Sequence, residues 1–231
     1  MFKHKKLPYI IVSLIFLVVI LIIFLPSFFS IKKFSQLYYS AGIGNEGVLP
    51  SAENMIPVNF NDHIYGSLKA PIKIVEYSDF QCPFCAEFHP IMKEFLQNYP
   101  NDVQWIYRHF PNDQTHPQAV AAAVASECIA DLAGNRAFWQ FADVLFENQE
   151  SLSLTMYEEI AIELGITSAD YNACLNSDVF FNKVQAHLKN AFASGGQGTP
   201  HIIIVFPDGR KHSIFGLATY EMLEQIIKQA L

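Results

Sequence analysis

Apolar positions along this chain change their period several times, and each change marks an element. Tyr9 to Phe29 are apolar almost without interruption, a run that reaches roughly 30 Å as a helix and so matches a bilayer core. From Ile31 to about Val58, Ser, Gly, Asn and Pro are mixed without a period, the pattern of a tether. Ile72 to Tyr77 then reads as a strand, Pro83 to about Tyr99 as a helix and Val103 to His109 as a second strand. Such a strand-helix-strand unit implies parallel strands. Helical spacing dominates from Pro117 to Ser194, where Phe138, Phe141 and Leu145, then Phe180, Val184, Leu188 and Phe192, read as core. Within it Gly165 ends one helix, Ser168 is expected to cap the next, and Gly195-Gly196 closes the last. Ile202 to Phe206, a Pro207-Asp208-Gly209 turn and Lys211 to Phe215 predict a β-hairpin. A final helix from about Thr219 carries Met222, Leu223, Ile226, Ile227 and Ala230 as one apolar stripe.

At 231 residues, 51% hydrophobic and 16% charged, the chain can bury a sizeable core in one domain and is not a disordered protein. Lys3, Lys5 and Lys6 with the amino terminus outweigh Lys32 and Lys33 around the apolar run, which places the amino end in the cytoplasm and the bulk outside it. Ser27 to Lys33 lacks the small-residue pattern of a cleaved signal peptide. The expected division is therefore a cytoplasmic tip and membrane anchor over 1–30, a tether over 31–58, and a periplasmic domain over 59–231 with helices inserted at about 116–194. Beyond residue 30, twelve basic against 22 acidic side chains leave −10, which argues against nucleic acid as a partner.

The chemistry centres on Cys82-Pro83-Phe84-Cys85, set directly between a strand and a helix. Two thiols at a helix start can close a disulfide while one stays accessible, and the free backbone N–H groups there favour its thiolate, the attacking species. Cys82 is the expected nucleophile, with Pro83 at the first helical position. Cys85, one turn deeper, resolves the mixed disulfide. The same tetrapeptide also reads as half a zinc site, but Cys128 and Cys174 lie far apart and supply no second pair. Copper or zinc held by Cys82, Cys85, His89 and His201 is a weaker reading, because His89 lies a full turn further along the helix. Glu76 shares strand parity with Ile72 and Ile74, which puts a carboxyl among core positions, where burial raises its pKa and lets it exchange a proton with Cys85. Asp79 is expected to shape the loop before the helix.

Without the helical block, the β-α-β and β-β-α order is that of a thioredoxin-like α/β core. Asp62-His63-Ile64-Tyr65-Gly66, Ala70-Pro71 and Val75 through Cys85 resemble the DsbA-like thiol:disulfide oxidoreductases. Arg108-His109-Phe110-Pro111, His116-Pro117, Glu127-Cys128, Phe138-Trp139, Leu145 through Gln149 and Gly198-Thr199-Pro200 extend the resemblance over nearly all of 62–231. It implies a thioredoxin fold with a helical insertion and a proton-transfer role for Glu76. It also implies a cis bond between Thr199 and Pro200 that sets this loop beside Cys82 for substrate binding with Phe84, and a structural disulfide between Cys128 and Cys174. The activity it implies is disulfide exchange with exported proteins, most readily as an oxidase that a quinone-linked membrane protein reoxidises, without organic cofactor or metal. A reductase or isomerase on the same fold is the alternative. Two positions depart from the pattern. Phe84 stands where a strongly oxidising DsbA carries histidine, so the disulfide is expected to be less oxidising. His201 replaces a small or hydroxyl residue and either approaches the Cys82 sulfur or packs beside the strand.

Overall fold

The computed structural model describes residues 49–229, so the anchor and most of the tether expected from the sequence lie outside the described residues. Five strands form one sheet in the order β1-β3-β2-β4-β5. They are β1 (His63–Gly66), β2 (Ile72–Ser78), β3 (Val103–His109), β4 (His201–Val205) and β5 (Lys211–Phe215). β2 and β3 run parallel, with Glu76 opposite Tyr107, and the remaining pairs are antiparallel. Helix α1 (Pro83–Asn98) joins β2 to β3. Four helices are inserted between β3 and β4: α2 (Ala119–Glu147), α3 (Leu154–Glu163), α4 (Ser168–Leu175) and α5 (Asp178–Ala193). Helix α6 (Tyr220–Ile227) closes the domain.

This is the thioredoxin-like α/β fold with a helical insertion. β2 and β3 are buried on both faces, apart from a half-buried Lys73, because helices cover both sides, as central parallel strands require. Strand parity divides the side chains. Ile72, Ile74, Glu76 and Ser78 share one face with Trp105, Tyr107, Ile202 and Ile204, while Val75, Tyr77, Arg108, His201 and Ile203 lie on the other. Cys85, Phe88, Met92 and Phe95 of α1 pack with the first set, together with Phe138 and Phe141 of α2 and Leu223 and Ile227 of α6. Asn190 of α5 reaches Tyr77 and Arg108 on the second.

Three details differ from the sequence reading. β1 is an additional edge strand; at four residues it is too short to show a period. Thr167, rather than Ser168, caps α4, its Oγ1 accepting from the Asp170 amide at 3.1 Å. Residues 49–58, the end of the expected tether, are held against the domain: the Ser51 amide donates to Ala193 O at 3.1 Å, and Arg108 donates to Ile56 O at 2.7 Å. One long inserted helix also bends. Gly134 adopts φ 84° and ψ 173° inside α2, a backbone that a side chain would strain, so its two halves can wrap the sheet at different angles. Cys128 in α2 and Cys174 in α4 are joined by a disulfide.

Candidate active site

Cys82 is the N-cap of α1, in extended conformation, and Pro83 opens the helix. Among the described residues no side chain caps this end, and the Phe84 and Cys85 amides reach the Cys82 sulfur. Both site cysteines are free thiols; Cys82 keeps 4% of its surface and Cys85 none. The sulfur read as accessible is thus only slightly open, although it is the more exposed of the two. Cys82 Sγ lies 3.5 Å from the carbonyl oxygen of Thr199, and the Thr199-Pro200 bond is cis. Phe84 stands 55% exposed beside them.

Electrostatics separate the two thiols. The Cys82 pKa falls from 9.0 to about 6, chiefly through the hydrogen bond from Cys85; burial opposes this, and Thr199 and the Cys85 and Phe84 amides add to it. Cys85 moves well above its ordinary value, first by burial and then through its bond to Cys82 and the charge of Glu76. Glu76 is buried and rises from 4.5 to about 7 because desolvation outweighs bonds from Ser78 and Trp105. Trp105 Nε1 donates to Glu76 Oε2 at 2.9 Å. Cys82, Cys85 and Glu76 therefore form a sequence of groups whose proton affinities are set by how deeply each is buried and what bonds it.

The insertion clamps the loop that carries Cys82. Asp79, buried, accepts from the Gln81 amide at 2.8 Å, the Asn112 amide at 2.9 Å and His116 Nδ1 at 2.7 Å. Gln149 Nε2 donates to Phe80 O at 2.8 Å and Cys82 O at 2.9 Å, and Gln81 Oε1 accepts from the Gln118 amide at 2.7 Å. These contacts were not evident in the sequence, where Asp79 stood out only as a loop-shaping residue. Trp105 and Tyr107 could have been found: counting alternate residues along β3 puts both on the Glu76 face.

The two histidines considered for metal are placed elsewhere. His201 lies on the opposite sheet face from Glu76, wholly buried between Tyr77 and Phe215 at ring distances of 5.7 and 5.2 Å. Burial lowers its pKa, so it packs as a neutral ring rather than as a cation at the thiol. His89 Nε2 is bound to Asp143 at 2.6 Å, with Lys93 on the same carboxylate at 2.8 Å. Two thiols and two imidazoles therefore do not gather into one ligand set. Among the described residues one other group has ligating atoms within 4.8 Å, His63, His109 and Glu127, all buried. There Lys183 takes the place of a cation, donating to Glu127 Oε2 at 2.7 Å and to Asn61 O at 2.9 Å.

The sequence profile of the thioredoxin family matches residues 59–229. A Na(+)/H(+) antiporter NhaA 3 from Salinispora tropica is 31% identical over 169 residues, which are 73% of this chain and 24% of that protein. This chain thus spans about a quarter of the length of the curated relatives it matches. Among solved structures, Wolbachia pipientis alpha-DsbA1 superposes with a TM-score of 0.67 at 23% identity, covering 78% of this chain and 95% of that one. Pseudomonas aeruginosa DsbA2 does so with a TM-score of 0.63 at 24% identity, covering 76% and 96%. At these identities the likeness is one of fold.

Proposed function

We propose that this chain, which belongs to the thioredoxin family, exchanges disulfides with exported proteins through Cys82 and Cys85 and runs as an oxidase. A substrate thiolate attacks Cys82 Sγ of the disulfide, and Cys85 leaves and takes up a proton from Glu76. A second substrate thiolate then attacks the substrate sulfur, forming the new disulfide and releasing Cys82. The observation that carries this reading is Cys82 at the start of α1 with Cys85 wholly buried one turn in, an arrangement that brings the Cys82 pKa to about 6 and holds Cys85 high. A Cys82 that is stable as thiolate leaves readily and stabilises the dithiol form, which makes the disulfide a stronger oxidant. Phe84 and the Thr199-Pro200 loop offer the apolar surface and backbone groups for an extended substrate segment.

The retained anchor at Tyr9 to Phe29, the periplasmic location and a quinone-linked membrane partner that reoxidises the dithiol belong to this proposal. Dithiol chemistry needs no organic cofactor. The antiporter activity in the relatives' names belongs to much longer proteins, and none of it is assigned to this chain. Phe84 supports the second reading, a reductase or isomerase, because a phenyl ring brings no positive charge to the thiolate. The reduction potential of the full chain separates them. A value well above about −270 mV, toward about −120 mV, is expected; one at or below about −270 mV would make it a reductase. A Cys82→Ser variant that still exchanges disulfides would remove the activity from this site altogether.

A further inference from the structure

Beside Glu76 and Cys85 lie two hydroxyl groups that the exchange reaction as described does not use. Ser78 ends β2 two residues beyond Glu76 and so projects from the same face, and Tyr107 sits directly across from Glu76 in β3. Both residues are buried, Ser78 at 1% and Tyr107 at 0% exposure, and among the described residues neither the Ser78 Oγ nor the Tyr107 OH makes a hydrogen bond of full geometry. Buried hydroxyls are nearly always paired, so two without a committed partner beside a buried carboxyl and thiol are placed to pair with whichever group needs a proton. Ser78 adjoins all three neighbours, favouring the charged forms of Glu76, Cys85 and Tyr107 alike. Trp105 already donates to Glu76 Oε2, which leaves Oε1 the less encumbered oxygen for the proton.

We propose that the Ser78 hydroxyl carries the proton between Glu76 and Cys85, with Tyr107 as the positioning residue that orients it; this rests on the exchange activity proposed above. A hydroxyl can donate and accept at once. When substrate attack breaks the Cys82–Cys85 bond, the electron pair stays on Cys85 Sγ. Ser78 gives its proton to that sulfur and is reprotonated from Glu76 Oε1, leaving a Glu76 carboxylate. In the reverse direction the proton of Cys85 travels back through Ser78 to Glu76 as the Cys82–Cys85 bond closes. Electrons and protons balance without another reactant.

The test is single-turnover exchange between the oxidised full chain and a two-cysteine peptide, followed from acid to alkaline pH. Ser78→Ala is expected to slow the step about tenfold, less than the ~10²–10⁴ of losing a proton-transfer group outright, and to flatten the limb that follows Glu76. Ser78→Thr, which keeps the hydroxyl, restores both rate and profile, and Tyr107→Phe costs about two- to threefold. Alkylation of Cys82 in reduced Ser78→Ala proceeds as in wild type. A Ser78→Ala variant with wild-type rate and pH profile, or a Ser78→Thr variant no better than it, would overturn the relay. A proton inventory on the unaltered chain needs no variant to fold: two protons in flight give a curved dependence on deuterium fraction, and a linear one overturns the relay. A wild-type chain that exchanges nothing overturns the activity itself, an outcome distinct from a failed relay.

Discussion

Two buried carboxyls on the domain meet opposite fates. Glu127, in the insertion, is surrounded by donors: His63 Nε2 at 3.0 Å and His109 Nε2 at 2.9 Å on one oxygen, and Lys183 at 2.7 Å on the other. Because a carboxylate can only accept, the His109 imidazole carries its proton at Nε2. Burial opposes its charge, yet His63 and His109 outweigh burial and hold its carboxyl well below the usual range. Glu76 has no cation beside it among the described residues, only the Trp105 indole N–H and the Ser78 hydroxyl, and burial carries it to about 7. A saturated carboxylate ties sheet to insertion, whereas an undersupplied one is left able to take and release a proton near neutral pH. The difference lies in the neighbours, since both are buried glutamates.

Removing each carboxyl should therefore act with opposite sign on stability. Glu127→Ala leaves Lys183 and two imidazoles facing one another without a counter-charge, and chemical denaturation at neutral pH should show a loss of about 3–5 kcal/mol. A loss near zero would mean that the network contributes nothing and that the contrast is false. Glu76→Gln should do the reverse. A carboxyl whose folded pKa rises from 4.5 to about 7 weakens the fold as pH climbs through that interval, reaching a penalty of about 3 kcal/mol above it. The variant should gain roughly that amount at alkaline pH and nothing below pH 4.5, while disulfide exchange slows. Glu127 works in the other sense: its contribution is full above the ordinary carboxylate pKa and is lost only as pH falls through its depressed folded value.

Much of this contrast was half legible in the sequence. The apolar runs at Ile72 to Tyr77 and Val103 to His109, and the helical spacing around Phe138 and Phe180, carried the fold because periodicity reports which face is buried. Parity alone placed Glu76 in the core, and the same counting explains why His201 faces away from it. The Glu127 network stayed hidden for a different reason. Its members come from β1, β3, α2 and α5, and although Asp62-His63, Arg108-His109 and Glu127-Cys128 each stood out as motifs, no local pattern says that they converge. The clamps on the Cys82 loop, from His116, Gln118 and Gln149, are hidden likewise, because they depend on how the insertion folds back over the start of α1. Ser78 was invisible as chemistry because a serine at a strand end usually faces solvent, and only the packed α1 makes it buried.

The most direct test is the rate at which iodoacetamide alkylates the reduced full chain as a function of pH, with the labelled cysteine identified by mass spectrometry. The account predicts a single labelled thiol, Cys82, and a midpoint at about pH 6. A midpoint near the roughly 8.5 of a free cysteine, or labelling of Cys85 at the same rate, would contradict it.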